Sequence, residues 1–359
     1  MKVLEVYKDV WPPVRGGIER YIHDLGLFLT SRGHRVSVLT ASRSPGFSAR
    51  TTTVEGMTVT EAPCLCRILS NPVCPGLGRA ISGAGQDVTH FHHPLPAATL
   101  SWYFGRRTVP HVVTYHSDIV RQAALVPFLG PFIREFLGKA SSVLATSPPY
   151  VESSPFLRGL GNVRVVPPGV DTGFFTPGGG EPGDYFLFVG RFRSYKGIPV
   201  LLEAWSLLGG QRLVMVGGGP LEGAVRKRIA AGRLDVELAG EVDDERLRSL
   251  YRGARAFILP STARSEAYGM VQLEAMACGT PVISTSLATG VPWVNRHMES
   301  GIVVPPGDPA ALAGAVTAML DDELRARLAR GALERCLSEF GQARSFSMVE
   351  EALRDAAGV

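Results

Sequence analysis

Cysteine is scarce in this chain of 359 residues, with five in all. Cys64, Cys66 and Cys74 crowd together, yet they form no CxxC pair and no histidine accompanies them at zinc spacing, which argues against a zinc ribbon. The odd count argues against a disulfide framework and for reduced, structural thiols. No stretch reaches the roughly 20 apolar residues that a bilayer crossing requires, so a spanning helix is excluded. A large excess of one charge is also missing: the formal net charge is +4, and no basic run exceeds Arg226-Lys227-Arg228. That run reads as a solvated helix face, and nucleic acid is not an expected partner. Met1 to Tyr7 is interrupted by charge and reads as a strand, not a signal peptide. The expectation is a cytoplasmic protein, with contact at a membrane face left open.

What is present is globular. Hydrophobic residues make up 45% and charged residues 19%, and the length allows two domains, each with its own core. In the first half, strands are expected over Val3–Tyr7, Arg35–Thr40, Thr58–Ala62, Asp87–Phe91, His111–Tyr115, Ser142–Thr146 and Val163–Val166. Helices are expected over Ile18–Ser31, closed by Gly33, and over Val126–Lys139. From 169 to 184 the composition turns to Gly, Pro and Thr, which marks a linker. Alternation then restarts at Tyr185–Val189 and runs through strands at Arg212–Val216, Val236–Ala239, Ala256–Pro260, Pro281–Ser284 and Ile302–Val304. Helices lie between them, and others near Ala310–Asp321, Glu323–Glu339 and Ala343–Ala357 end the chain. Repeated βαβ units imply parallel sheets covered on both faces. The fold expected is α/β, with two doubly wound, Rossmann-like domains (1–168 and 185–342) facing across a cleft. The C-terminal helix 343–359 would pack back on the first of them.

The chemistry concentrates at strand ends. In Ser265-Glu266-Ala267-Tyr268-Gly269-Met270-Val271-Gln272-Leu273-Glu274, Glu266 stands at a strand's C-terminal end, where open α/β sheets place ligands. Glu274 follows in the early turns of a helix, where a carboxylate can accept two hydrogen bonds from a vicinal diol such as a ribose. Either glutamate alone would pass for an ordinary helix-terminal acid. Arg191 and Lys196 leave the strand end at Val189 on the loop Gly190-Arg191-Phe192-Arg193-Ser194-Tyr195-Lys196-Gly197. A planar guanidinium and an ammonium there can converge on a diphosphate; the bland alternative is a solvated basic loop. Arg15-Gly16-Gly17-Ile18-Glu19-Arg20 precedes the first helix, and Gly16 and Gly17 let backbone N–H groups approach an anion.

His116 also falls at a strand's C-terminal end, with Asp118 two residues on to orient it or to bind an acceptor. His90-Phe91-His92-His93-Pro94 suggests a metal, but no carboxylate or cysteine stands at ligand spacing in the sequence; it is read as a strand end beside an acceptor pocket, with His92 and His93 as lining residues. No metal site is therefore expected. Gly217-Gly218-Gly219-Pro220-Leu221-Glu222 tempts a dinucleotide reading, but Glu222 takes the place of the third glycine and Pro220 disfavours the turn. Asp243 or Asp244 can cap a helix just after Val242.

The Glu266/Glu274 block resembles the E-x7-E signature of retaining GT-B glycosyltransferases of family 4, also called group 1. Gly-Gly-Ile-Glu-Arg, the Arg191/Lys196 loop, Thr289-Gly290-Val291-Pro292-Trp293-Val294 and Gly301 to Asp308 extend the resemblance over most of the chain. It is thin from Arg43 to Gly85, and Ala267 replaces a glycine that many relatives carry. The resemblance implies transfer of a hexose-type sugar from a UDP- or GDP-sugar to a hydroxyl of a glycan, a lipid-linked sugar or a small molecule, with no cofactor and no metal. Under it, Arg191 and Lys196 hold the donor diphosphate, Glu266 the sugar, Glu274 the ribose, and His116 the sugar or phosphate. Gly16, Gly17, Gly218, Val242, Tyr268, Gly269, Met270 and Val271 line the donor site. Asp118, His92 and His93 fall on the acceptor side. A GT-B nucleotide-sugar 2-epimerase and a non-catalytic sugar-nucleotide sensor are the rival readings.

Overall fold

A computed structural model describes residues 1–12, 14, 16–68, 71–105, 109–119, 126–180 and 183–359; Arg15 of the Gly-Gly motif lies outside the described residues. The chain divides into two compact units, Met1–Pro167 together with Ser345–Val359, and Pro168–Arg344.

The first unit runs β1 (Lys2–Val6), α1 (Gly17–Ser31), β2 (Arg35–Ala41), β3 (Arg50–Val54), β4 (Met57–Ala62), β5 (Cys66–Ile68), β6 (Asn71–Val73) and α2 (Leu77–Gly83). It continues through β7 (Val88–His93), α3 (Pro96–Phe104), β8 (His111–Tyr115), α4 (Val126–Gly138), β9 (Ser142–Ala145), α5 (Pro148–Ser153) and β10 (Val163–Val165). Eight of these strands form a sheet in the order β10-β9-β8-β7-β1-β2-β4-β3. Every pairing in it is parallel except β3 with β4. That antiparallel edge departs from the parallel sheet expected. Arg50-Thr51-Thr52-Thr53-Val54 is polar and almost wholly exposed, so no hydrophobic alternation announces it. A hairpin turn makes it, with Glu55 and Gly56 both at positive φ (47° and 85°), the backbone a two-residue hairpin loop needs. β7 is buried along its whole length and runs on to His93, past the expected end at Phe91. Helix α1 buries Ile22, Leu25 and Leu29 on one face, the spacing of an amphipathic helix laid on a sheet.

The second unit holds β11 (Tyr185–Val189), α6 (Ile198–Leu207), β12 (Arg212–Val216), α7 (Glu222–Gly232), β13 (Val236–Gly240), α8 (Asp244–Gly253) and β14 (Ala254–Leu259). It continues with α9 (Met270–Ala277), β15 (Val282–Thr285), α10 (Val291–Val294), β16 (Gly301–Val304), α11 (Pro309–Ala318) and α12 (Asp322–Glu339). Its six strands are all parallel, in the order β13-β12-β11-β14-β15-β16. Successive residues point to opposite faces, which splits the core in two. Phe186, Phe188, Leu213 and Met215 bury against α6 and α11, while Leu187, Val189, Val214 and Val216 bury against α8, α9 and α12.

The Gly/Pro-rich stretch expected as a linker lies on this second unit. Val170 donates to the Phe340 carbonyl at 2.9 Å, Arg248 stacks 4.5 Å from the Phe174 ring, and Arg252 donates to the Thr176 carbonyl at 2.6 Å. Val170, Phe174 and Phe175 supply the side chains that a free linker would lack. Residues 181–182 lie outside the described residues. Helix α13 (Gln342–Ala357) ends the chain, and its Phe346, Val349, Ala352 and Leu353 pack with Leu25, Leu29 and Val3 of the first unit. Among the described residues, no helix is long and apolar enough to cross a membrane.

Candidate active site

In the second unit, β11 and β14 are neighbours, but the chain winds outward from them in opposite directions. Such a reversal leaves a crevice at the carboxyl ends of the two strands, where open α/β sheets bind ligands. The segments after β11 and β14 carry the predicted residues. After β11, Phe192 is fully buried and donates from its backbone to the Gly218 carbonyl at 2.8 Å, tying this loop to the one after β12. Arg191 stays exposed. A single 3-10 turn, Ser194–Lys196, then carries Lys196 inward, and Gly197 follows at φ 69°. A Cβ on Gly197 would lie 1.8 Å from the Pro260 carbonyl oxygen, so only glycine lets the turn press against the end of β14.

That approach brings Lys196 to Glu266. Nζ stands 2.6 Å from Oε2 of Glu266, both groups are buried, and the Ser261 hydroxyl donates to the same oxygen at 2.8 Å. Burial disfavours the Lys196 charge, but the carboxylates of Glu266 and Glu274 and the Tyr195 ring hold its pKa above the usual lysine value. Glu274, half-buried on α9, accepts from the Tyr251 hydroxyl at 2.7 Å. Gly269 enters α9 at φ 77°, where a Cβ would meet Leu259 at 2.6 Å. Met270 and Val271 are half-buried in the first turn. Val242, after β13, packs half-buried on the core. Ser261 and Tyr251 escaped the sequence reading: a serine after a proline and a tyrosine on an amphipathic helix carry no motif.

Tyr268 is not where a donor-binding side chain belongs. It is 5% exposed and points into the core, its ring centroid 6.4 Å from Phe340 and 6.5 Å from Trp293. The apolar ring is worth more buried than at the strand end, and the carbonyl instead accepts from Gln272 at 2.5 Å.

In the first unit, Gly16 caps α1 and Gly17 begins it. Glu19 folds back over them: a Cβ on Gly16 would lie 2.1 Å from Glu19 Oε2. A carboxylate thus already lies at the helix N-terminus where the Gly-Gly loop was expected to receive an anion.

Beside this, parallel pairing sets Glu5 of β1 opposite His90 of β7. Glu5 Oε2 lies 2.7 Å from His92 Nε2 and 2.9 Å from His90 Nδ1, with all three side chains fully buried. No carboxylate stands at ligand spacing from the histidine run in the sequence, but the folded sheet brings one there. Glu5 is distant in sequence and adjacent in the sheet, and the trio offers three ligand atoms within 4.8 Å of one another. Burial pushes the Glu5 carboxyl upward, but His90 and His92 outweigh it and hold the pKa down at about 2. Burial pulls His92 and His93 down to about 4.

His92 and His93 also depart from the acceptor-lining role expected of them. At 0% and 2% exposed they sit inside, because β7 runs between β1 and β8 with both faces covered. His93 stacks on Tyr115, ring centroids 4.4 Å apart, and His92 Nδ1 reaches His116 Nε2 at 3.0 Å. His116, just past β8, keeps partial exposure, and burial together with His92 and the other histidines holds its pKa well below the usual value. The Asp118 carboxylate accepts from Tyr115 at 2.8 Å and Ser154 at 2.6 Å, while His92 holds the His116 ring through its Nε2.

Two Rossmann-like units with side chains gathered at their strand ends define the GT-B class of glycosyltransferase. Residues 174–335 match the family model for glycosyl transferases group 1, and residues 15–174 match that for glycosyltransferase family 4. O-antigen chain mannosyltransferase C of Escherichia coli is 35% identical, with 90% of each chain covered. The D-rhamnosyltransferase WbpZ of Pseudomonas aeruginosa is 34% identical over 88% of this chain and 86% of its own. Among solved structures, sucrose-phosphate synthase of Thermosynechococcus elongatus superposes with a TM-score of 0.83 at 22% identity over the whole of both chains. Anabaena HepE, solved in complex with UDP, does so at 0.77 and 18% identity, covering 99% of this chain and 100% of its own. The chain belongs to the group 1, family 4 glycosyltransferases, and it is a glycosyltransferase.

Proposed function

We propose that the chain is a retaining, metal-independent enzyme that moves a hexose or deoxyhexose from a UDP- or GDP-sugar to a hydroxyl of a growing glycan. The buried Lys196–Glu266 pair at the β11/β14 switch point, with Glu274 near it, carries this reading. A cation and two carboxylates at one sheet edge match a ligand whose middle is a diphosphate and whose ends are polyols.

Lys196 and Arg191 take the charge of the diphosphate as it departs, the role a metal plays in other transferases. Glu266, with one oxygen engaged by Lys196 and Ser261, offers the other to sugar hydroxyls. Glu274 takes the ribose diol, its second oxygen oriented by Tyr251. The bond from the anomeric carbon to the phosphate oxygen breaks, and the acceptor oxygen bonds to the same face of that carbon. The acceptor's proton passes to the departing phosphate oxygen, so no protein nucleophile is required. Backbone groups at Gly218, Val242, Gly269, Met270 and Val271 line the donor, and Gly16 and Gly17 meet an anion after Glu19 swings aside. Similarity to a mannosyltransferase and a D-rhamnosyltransferase supports the sugar class, and the O-antigen chain on which the first acts supports a glycan acceptor.

The test is a thermal-shift screen of UDP- and GDP-sugars, followed by mass spectrometry of the products with saccharide acceptors. A glycoside of retained configuration is expected. Binding without turnover would instead make the chain a sugar-nucleotide sensor, and a 2-epimer without glycoside would make it an epimerase. EDTA is expected to leave the transfer rate unchanged; loss that added divalent metal restores would overturn the metal-free claim.

A further inference from the structure

We propose that Glu5, His92 and His116 form a one-way hydrogen-bond relay that holds His116 as its Nε2–H tautomer and leaves a bare Nδ1 to accept from a ligand hydroxyl. The direction follows from what each group can do. Glu5, on β1, is a buried carboxylate and can only accept, so the 2.7 Å contact to His92 Nε2 requires the proton on His92. A neutral His92, on β7, then has an acceptor lone pair on Nδ1. The 3.0 Å contact from that atom to His116 Nε2 therefore requires the proton on His116. The two ring planes are 20° from parallel with centroids 5.2 Å apart; with the nitrogens 3.0 Å apart the rings lie nearly end to end, the geometry of an in-plane hydrogen bond between imidazoles.

His90 Nδ1 lies 2.9 Å from the same Glu5 oxygen but outside hydrogen-bond geometry, and its Nε2 is 2.7 Å from the Thr114 hydroxyl. The directed bond to Glu5 therefore comes from His92. Tyr21 presses edge-on against His92 and His116, at 6.0 and 5.4 Å between centroids, and keeps both rings in place. His116 is the member with partial exposure, at the carboxyl edge of the sheet. Its Nδ1 has no hydrogen-bond partner among the described residues. Burial and the neighbouring histidines keep His116 neutral, in line with this geometry.

An acceptor lone pair selects its ligand atom. A phosphate oxygen brings no proton and would meet lone pair with lone pair, whereas a hydroxyl donates into it. Of the sugar and the phosphate as targets for His116, the relay favours a hydroxyl. Glu5 and His92 are positioning residues in this scheme, buried and touching no substrate. The ligand half rests on the sugar-transfer reading, while the tautomer does not.

The experiment is long-range 1H–15N spectroscopy of the full chain with 15N-labelled histidine, unliganded and near neutral pH. H116Q identifies the His116 ring signals by their loss. In the unaltered protein, both His92 and His116 are expected as neutral Nε2–H tautomers. An Nδ1–H tautomer or an imidazolium at His116 overturns the relay, as does a metal-bound signal at His92 Nε2, which would reverse its polarity. His92→Phe keeps the ring volume and removes the acceptor; His116 should become a mixture of tautomers. A folded His92→Phe in which His116 stays purely Nε2–H also overturns it. These spectra need no substrate, so a failed transfer assay with the expected tautomers refutes the enzymatic reading alone.

Discussion

Lys196 and Glu266 show why a buried charged residue has to be judged with its partner. In Lys196→Met the Glu266 carboxylate is left buried without its cation, and stability should fall by about 3 kcal/mol. In Lys196→Met combined with Glu266→Leu both charges go, so most of that loss should return while transfer stays abolished. Denaturant midpoints and product formation measured on the same samples separate the two effects. Glu266→Ala alone should cost transfer at least ~3 kcal/mol in kcat/KM, the scale of a preorganised contact to developing charge. A variant with full activity would sink that assignment. Glu274→Ala should raise the donor KM more than it lowers kcat, since the ribose lies away from the breaking bond. The placement of Glu266, Glu274, Arg191 and Lys196 just after strands was legible in the sequence, because they stand at fixed offsets from strand ends. Ser261 and Tyr251, which orient the glutamates, were not, for their role depends on which loop folds over which.

Elements that bury a stripe or a face could be read from the chain, and those that bury little could not. Helix α1 and strands β11 and β12 follow from apolar patterning and sit where expected to within a residue or two. The exposed threonine-rich β3 has no such pattern, and its edge position comes from the Glu55-Gly56 turn. Strand β7 reads short because histidine breaks an apolar run; the strand continues since Glu5 offers a carboxylate to two of those histidines. Helix α13 is amphipathic in sequence, but what covers its apolar face is a matter of packing. Phe346 lies 2% exposed among Leu25, Leu29 and Val349. Phe346→Ala should therefore cost about 3–4 kcal/mol, chiefly in the first unit, as a cavity in a close-packed core. Hydrogen exchange resolved by peptide would show faster opening in β1, β2 and α1 than in β11 to β14; equal acceleration in both units would contradict it.

For the molecule as a whole, the buried histidine–glutamate cluster predicts a sensitivity to acid. His92 and His93 are held at about 4 against an ordinary 6.5, so on acidification the unfolded chain takes up their protons first. Their contribution is present above pH 6.5 and lost as the pH falls towards 4. Glu5, held at about 2 against 4.5, adds a contribution that is lost between those two values. The signs agree, so the melting temperature should drop steadily from neutral pH downwards, and His93→Phe should flatten the upper part of that drop. Calorimetry across the range would decide it; a flat profile would mean that the cluster is open to solvent. The sequence by itself determined the α/β class, the alternation of strands and helices, and which residues stand at strand ends, because these depend on short-range periodicity and turn chemistry. Only the tertiary structure decided that Lys196 meets Glu266, that Tyr268 and His92 turn inward, and that Glu5 orders a chain of histidines. Those pairings join residues far apart in the chain, and parallel strand register brings them within hydrogen-bond reach only once the sheets have formed.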